Sequence, residues 1–203
     1  MEGTGAANTG ISTVAAVNHG TNMVSIINKV NPTVGVIPIK IAATNAQGNL
    51  GLYTNDAVRQ ALDWVVANRV KYNIVAVSIS QGKIFAGCGV PTGTADVVAS
   101  LKTNNVPVFA AAGNDGNVTT MMSIACLPNV ISVGATDNPD PGVSGIAYCK
   151  TCAPTIARYS NGNPVFYTNG RWYVTQGNGA TKFTVGTSNA TAALAAWWVL
   201  NLK

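Results

Sequence analysis

Apolar positions along the chain follow two alternating rhythms. The runs "VGVIPIKIA" (34–42), "NIVAVSIS" (73–80) and "VPVFAAA" (106–112) are short and rich in β-branched residues, as buried strands require, and "NVISVGAT" (129–136) predicts a shorter strand. Between them lie stretches of helical period. "HGTNMVSIINKV" (19–30) opens on a polar entry. "TNDAVRQALDWVVANRV" (54–70) has Thr54 or Asn55 as its cap and apolar residues at 58, 61, 62, 65 and 66, and "GTADVVASLKTNN" (93–105) completes the set. The segment 137–183 is rich in Pro, Gly, Asn and aromatics and reads as a loop-rich insert, with a hairpin expected at "VFYTNGRWYV" (165–174). The final stretch "SNATAALAAWWVLNLK" is apolar on nearly every face and predicts a central, buried helix. Strands alternating with helices imply an α/β fold, a mostly parallel sheet with helices on both faces, whose working edge lies beyond the strands' carboxyl ends. With no linker in 203 residues, one domain is expected, its core at 19–136 and 184–203.

Composition narrows the functional classes. Hydrophobic residues make up 47% of the chain, ample for one core, while charged residues are only 9%, far below the usual quarter. A surface built from Asn, Thr, Ser, Gln and Gly suits a secreted protein, so an extracellular location is expected. The opening "MEGTGAANTG" has neither a basic head nor an apolar core, which places any signal or propeptide outside this chain. The net charge of +5 reflects scarce acids, with Lys and Arg scattered singly, so no nucleic-acid groove is expected. No apolar run reaches the 18 residues that a membrane span needs. Four cysteines fit structural pairing in an oxidising compartment, Cys88 with Cys126 and Cys149 with Cys152. A zinc site at "CKTC" lacks ligands, because the chain has a single histidine.

Chemistry concentrates at three places. His19 stands at a helix opening in "NHGTNM", a position that exposes the ring in a loop crevice and keeps an imidazole neutral. Ser188 falls in the first turn of the most buried helix. There it either caps that helix or acts as a nucleophile beside free amide N–H groups. "VPVFAAAGNDG" shrinks its side chains just before a polar turn, as a strand end does when another segment or a ligand approaches its backbone. A serine hydroxyl needs a base to take its proton, so His19 and Ser188 would need each other.

In series, "HGTNMVSII", "NIVAVSIS", "VFAAAGNDG", "CLPNVISVGATD" and "GTSNATAALAA" resemble the subtilisin-like serine proteases, in order and rough spacing from His19 to Lys203. The resemblance implies a three-layer sandwich, here truncated at both ends, and a peptide or protein substrate. It implies Ser188 as nucleophile, His19 as base and Asn114 in the oxyanion hole, with Ala111, Ala112 and Gly113 small because substrate lies on them. It also implies that Asn49, Leu50 and Gly51 pair with substrate backbone, and that Ser78, Ile79 and Ser80 form the pocket wall. Asn22 replaces the family's second histidine. The family's aspartate has no counterpart before His19: either its segment is missing or Asn8, in "NTGI", stands in its place. No cofactor is expected; calcium is common in the family, yet seven acids suggest no site. The chain is thus expected to be a serine endopeptidase, or else an impaired peptide-binding or structural relative. Self-association or a partner chain would cover edges near Trp197 and Trp198.

Overall fold

The computed structural model describes residues 18–42, 54–82, 88–137 and 155–202. Helices α1 (His19–Val30), α2 (Asn55–Asn68), α3 (Thr94–Thr103) and α4 (Thr187–Leu200) alternate with strands β1 (Val77–Ile79), β2 (Val108–Ala111) and β3 (Val130–Asp137). Between β3 and α4 come β4 (Thr155–Ile156), β5 (Phe166–Asn169), β6 (Arg171–Thr175) and β7 (Thr181–Val185). Strands β1, β2, β3 and β5 are parallel, with Val77 opposite Val108, Val108 opposite Val130, and Val133 opposite Phe166. Only β4 runs antiparallel in this sheet, at the far end of β3. The fold is α/β, as the pattern implies.

Alternation along β2 builds the layers. Val108 and Ala110 join the core under α2 and α3, with Val58, Leu62, Val65, Val98 and Leu101. Phe109 turns the other way and meets α4 through Leu194 and Ala195. Period two in the strand therefore feeds two cores on opposite sheet faces. α2 starts where its cap predicts: Thr54 Oγ1 accepts the Ala57 N–H at 3.1 Å, and positions 58, 62 and 65 form its buried stripe. α4 is buried at every position from Thr187 to Ala196. Its last turn emerges, leaving Trp197 and Trp198 39% and 37% exposed, with Trp198 edge-on to Phe109.

Four expectations are corrected. Residues 34–42 carry an apolar face, and Ile39 and Ile41 pack on the first core, but the segment joins no ladder among the described residues. A strand needs a hydrogen-bonding neighbour as well as an apolar face, and Pro38 withholds one donor. The expected hairpin at 165–174 is absent, because β5 pairs with β3 while β6 pairs with β7 across the "QGNGA" turn. Side-chain alternation gave no hint that the chain changes sheets at Gly170. The described part of the insert, 155–183, is thus less loop-like than its composition suggests, and β3, expected to be short, is the longest described strand at eight residues.

Cys88 and Cys126 form the expected disulfide, tying the approach to α3 to the segment before β3. Cys149 and Cys152 lie outside the described residues. Closing a loop of 38 residues restricts the unfolded chain by about 4 kcal/mol in the chain-entropy picture. Replacing both Cys88 and Cys126 by alanine should lower the guanidinium unfolding midpoint by a corresponding margin, and an unchanged midpoint would show that the bridge is neutral.

Candidate functional site

Strands β1 and β2 end side by side, and the N-terminus of α4 faces their carboxyl ends. A cleft of about 180 Å³ opens there, lined by His19, Ser80, Gln81, Gly82, Ala111, Asn114, Met122, Thr187 and Ser188. The three residues singled out for chemistry therefore converge, although they come from positions 19, 114 and 188.

One backbone carbonyl organises two of them. Ser80 O lies 3.1 Å from His19 Nε2 and 3.1 Å from Ser188 Oγ, so the imidazole and the hydroxyl are at most about 6 Å apart. Ser80 Oγ returns a bond to Ser188 O at 3.0 Å. A carbonyl only accepts, so in this arrangement both Nε2 and Oγ carry their hydrogens toward it. The ring's lone pair is then at Nδ1, away from Ser188 Oγ. His19 is half-buried rather than exposed in its crevice, and burial lowers its pKa below 6.5, with the Ser80 carbonyl pulling weakly the other way. Among the described residues no carboxylate pairs with the ring. One turn on, Asn22 is buried in α1, and its Oδ1 has no partner among the described residues.

Ser188 is the second residue of α4, not its cap; Gly186 holds that position. The Ser188 N–H is by position one of the four that a helix start leaves without an intrahelical partner. Asn114 is exposed but firmly oriented. Its Oδ1 accepts the Thr187 N–H at 2.8 Å and the Thr187 hydroxyl at 3.0 Å, and Thr187 Oγ1 in turn accepts the Gly113 N–H at 3.2 Å. With its oxygen so engaged, the Asn114 amide offers its NH₂ end as a donor. Gly113 has φ +116°, a left-handed conformation that favours glycine.

Of the expected wall residues, Ser80 lines the cleft together with Gln81 and Gly82, and Ser78 and Ile79 lie within β1. Ala111 lines the cleft, whereas Ala112 is fully buried below it, bonded to Val133 and Met122. Met122 escaped sequence reasoning altogether. A Cβ at Gly82 would come within 2.6 Å of the Met122 Cβ, and one at Gly113 within 2.9 Å of its Cγ, so this side chain fills the space between the two walls. Thr187 was also missed, though it directly precedes Ser188. Asn8, Asn49, Leu50 and Gly51 lie outside the described residues. Among the described residues no three His, Cys, Asp or Glu side chains gather. No described helix is long and apolar enough to cross a membrane.

The sequence profile of the subtilase family matches residues 1–202. The chain belongs to the subtilase family. It is similar to an extracellular serine proteinase of Thermus sp. (strain Rt41A), 29% identical over 179 residues, which are 85% of this chain and 38% of that protein. This subtilase thus spans well under half the length of that relative. Its fold resembles a lanthipeptide protease (TM-score 0.69, 19% identity, 88% of this chain and 59% of that one). It likewise resembles the prenylagaramide maturation protease PagA (0.63, 21%, 88% and 61%) and sphericase (0.65, 20%, 91% and 64%).

Because the subtilase has a single histidine, its titration is directly readable. Burial disfavours the imidazolium, so the NMR midpoint of His19 should fall below 6.5, and above it ¹⁵N shifts should report the Nε2–H tautomer. A midpoint above 6.5, or an Nδ1–H ring, would contradict the geometry.

Proposed function

We propose that this chain is a serine peptidase domain that hydrolyses peptide bonds through an acyl-enzyme on Ser188. The observation that carries the reading is the convergence of His19, Ser188 and Asn114 on one cleft at the carboxyl edge of a parallel sheet. Ser188 Oγ attacks the scissile carbonyl carbon while His19 Nε2 takes its proton. The developing oxyanion receives hydrogen bonds from the Asn114 NH₂ and the Ser188 N–H. As the tetrahedral adduct collapses, imidazolium returns the proton to the leaving amine, and water later releases the acyl group by the same route in reverse.

Base chemistry requires one rearrangement. His19 must move its proton to Nδ1, and Ser188 must turn its hydroxyl from Ser80 O to the freed Nε2. An entering peptide that claims Ser80 O would release both donors at once. Substrate backbone would pair along Ser80–Gly82 and, on the far side, along Asn49, Leu50 and Gly51. With Met122 between the walls, a small side chain is expected just before the scissile bond. Similarity to the extracellular Thermus proteinase and a polar, acid-poor composition support an extracellular setting for this chain too.

A second reading has its own observation. Both reacting groups rest on one carbonyl, and no described carboxylate orients the ring. That is what a peptide-binding or structural relative with impaired chemistry would show.

A fluorophosphonate probe separates the two. Labelling at Ser188 should be lost in Ser188→Ala and strongly reduced in His19→Ala; a folded protein that stays unlabelled at high probe concentration rejects the peptidase. Asn114→Ala should lower turnover with little change in KM; in subtilisin itself, loss of one oxyanion donor costs about 10²–10³ in turnover. Met122→Gly should shift preference toward larger residues before the cleaved bond, as read by kcat/KM on a peptide series. An unaltered preference would remove Met122 from the pocket.

A further inference from the structure

We propose that Asn161 is a positioning residue for the oxyanion donor, holding the Asn114 loop from below. The inference rests on the peptidase reading and adds a residue to it. Asn161 is fully buried, yet it comes from the connection between β4 and β5, far in sequence from the cleft. Its N–H donates to Gly113 O at 3.2 Å. Its Oδ1 accepts the N–H groups of Asp115 and Asn117, both at 2.9 Å, and its Nδ2 donates to Asp115 Oδ2 at 3.0 Å. One side chain and its own amide thus grip both residues that flank Asn114.

The grip is specific to an amide of this size. Two acceptor bonds fall on Oδ1 and one donor bond leaves Nδ2; an ionised carboxylate lacks the donor, and a hydroxyl has donor and acceptors on a single atom, so it does not span the two ends. Gly113 makes room for it, since a Cβ there would collide with the Asn161 amide. The loop it holds is exposed from Asn114 to Gly116, and glycines at 113 and 116 adopt positive φ. Such a segment has little packing of its own to fix it. Thr187 holds the Asn114 side chain and Asn161 holds the Asn114 backbone, so the NH₂ group is defined from two directions. An oxyanion donor acts only if it is already in place when charge develops, which makes a small displacement expensive in rate.

The test is a double-mutant cycle. Asn161→Ala should lower kcat by about 10- to 100-fold with KM nearly unchanged. In an Asn114→Ala background the same change should cost less than about twofold, because the donor that Asn161 positions is already gone. Equal losses in both backgrounds would show general damage and overturn the proposal. The side-chain amide of Asn114, followed by NMR, gives a readout that does not depend on activity. It should be a single sharp pair in the parent and broadened or doubled in Asn161→Ala, and an unchanged pair overturns the proposal even if the parent proves inactive. Should the alanine variant not fold, Asn161→Ser, which brings no charge against Asp115 and is too short to reach the same partners, is judged by the same two criteria.

Discussion

Burial of α4 on all sides is the constraint from which the site follows. Ten consecutive residues, Thr187 to Ala196, are out of solvent, and five of them are alanine. Small side chains allow the helix to lie close to β1, β2, β3 and β5 on one side and to α1 on the other. A helix enclosed in this way has almost no freedom to rotate or slide, since interiors pack at crystal-like density. Its first turn is therefore a fixed point in the molecule. Ser188 inherits that precision, and so does Asn114 through Thr187.

Around this fixed point the sheet supplies the remaining groups. Parallel strands bring the ends of β1 and β2 to the same edge, so Ser80 and Asn114 line one cleft although they lie 34 positions apart in sequence. The start of α1 reaches the cleft because α1 packs along α4 and against β6, where Ser25 accepts the Thr175 N–H at 2.8 Å and Lys29 bonds the Tyr173 carbonyl. These contacts cap the outer edge of β6 and hold the His19 helix to the hairpin that leads into Ser188. His19 and Ser188 are thus joined through β6, β7 and α4 as well as through Ser80.

Much of this was legible in the sequence, and the gaps have physical causes. Strands and helices with strong local patterns were readable: α1 begins at the expected His19, and α2 has the expected cap at Thr54. Cleft residues were readable where the chain advertises them by size or chemistry, as at His19, Asn114 and Ser188. Pairing partners were not readable. Residues 34–42 look like a strand because apolar alternation records a face, whereas a ladder depends on a neighbour that the pattern does not contain. The hairpin was misplaced for the same reason, as Phe166–Asn169 and Arg171–Thr175 are locally alike and differ only in what they meet. Met122 and Asn161 sit in irregular segments without periodicity, and each matters only through contacts with residues distant in sequence.

The position of the imidazole proton is where local physics and expected chemistry pull apart. A histidine that serves as base toward Ser188 needs its lone pair at Nε2 and hence its hydrogen at Nδ1. That tautomer is favoured when an acceptor sits beside Nδ1, and a carboxylate there also stabilises the imidazolium formed during reaction. In the described structure the only acceptor bonded to the ring is Ser80 O, at Nε2, so the opposite tautomer is stabilised. Reversing it takes either an acceptor at Nδ1 or the loss of the one at Nε2. A peptide strand alongside Ser80 would do the latter, since its N–H groups compete for the same carbonyl. In the proposed peptidase, substrate binding and activation of the base would be the same event, and rate would depend on substrate backbone contacts as much as on the side chain in the pocket.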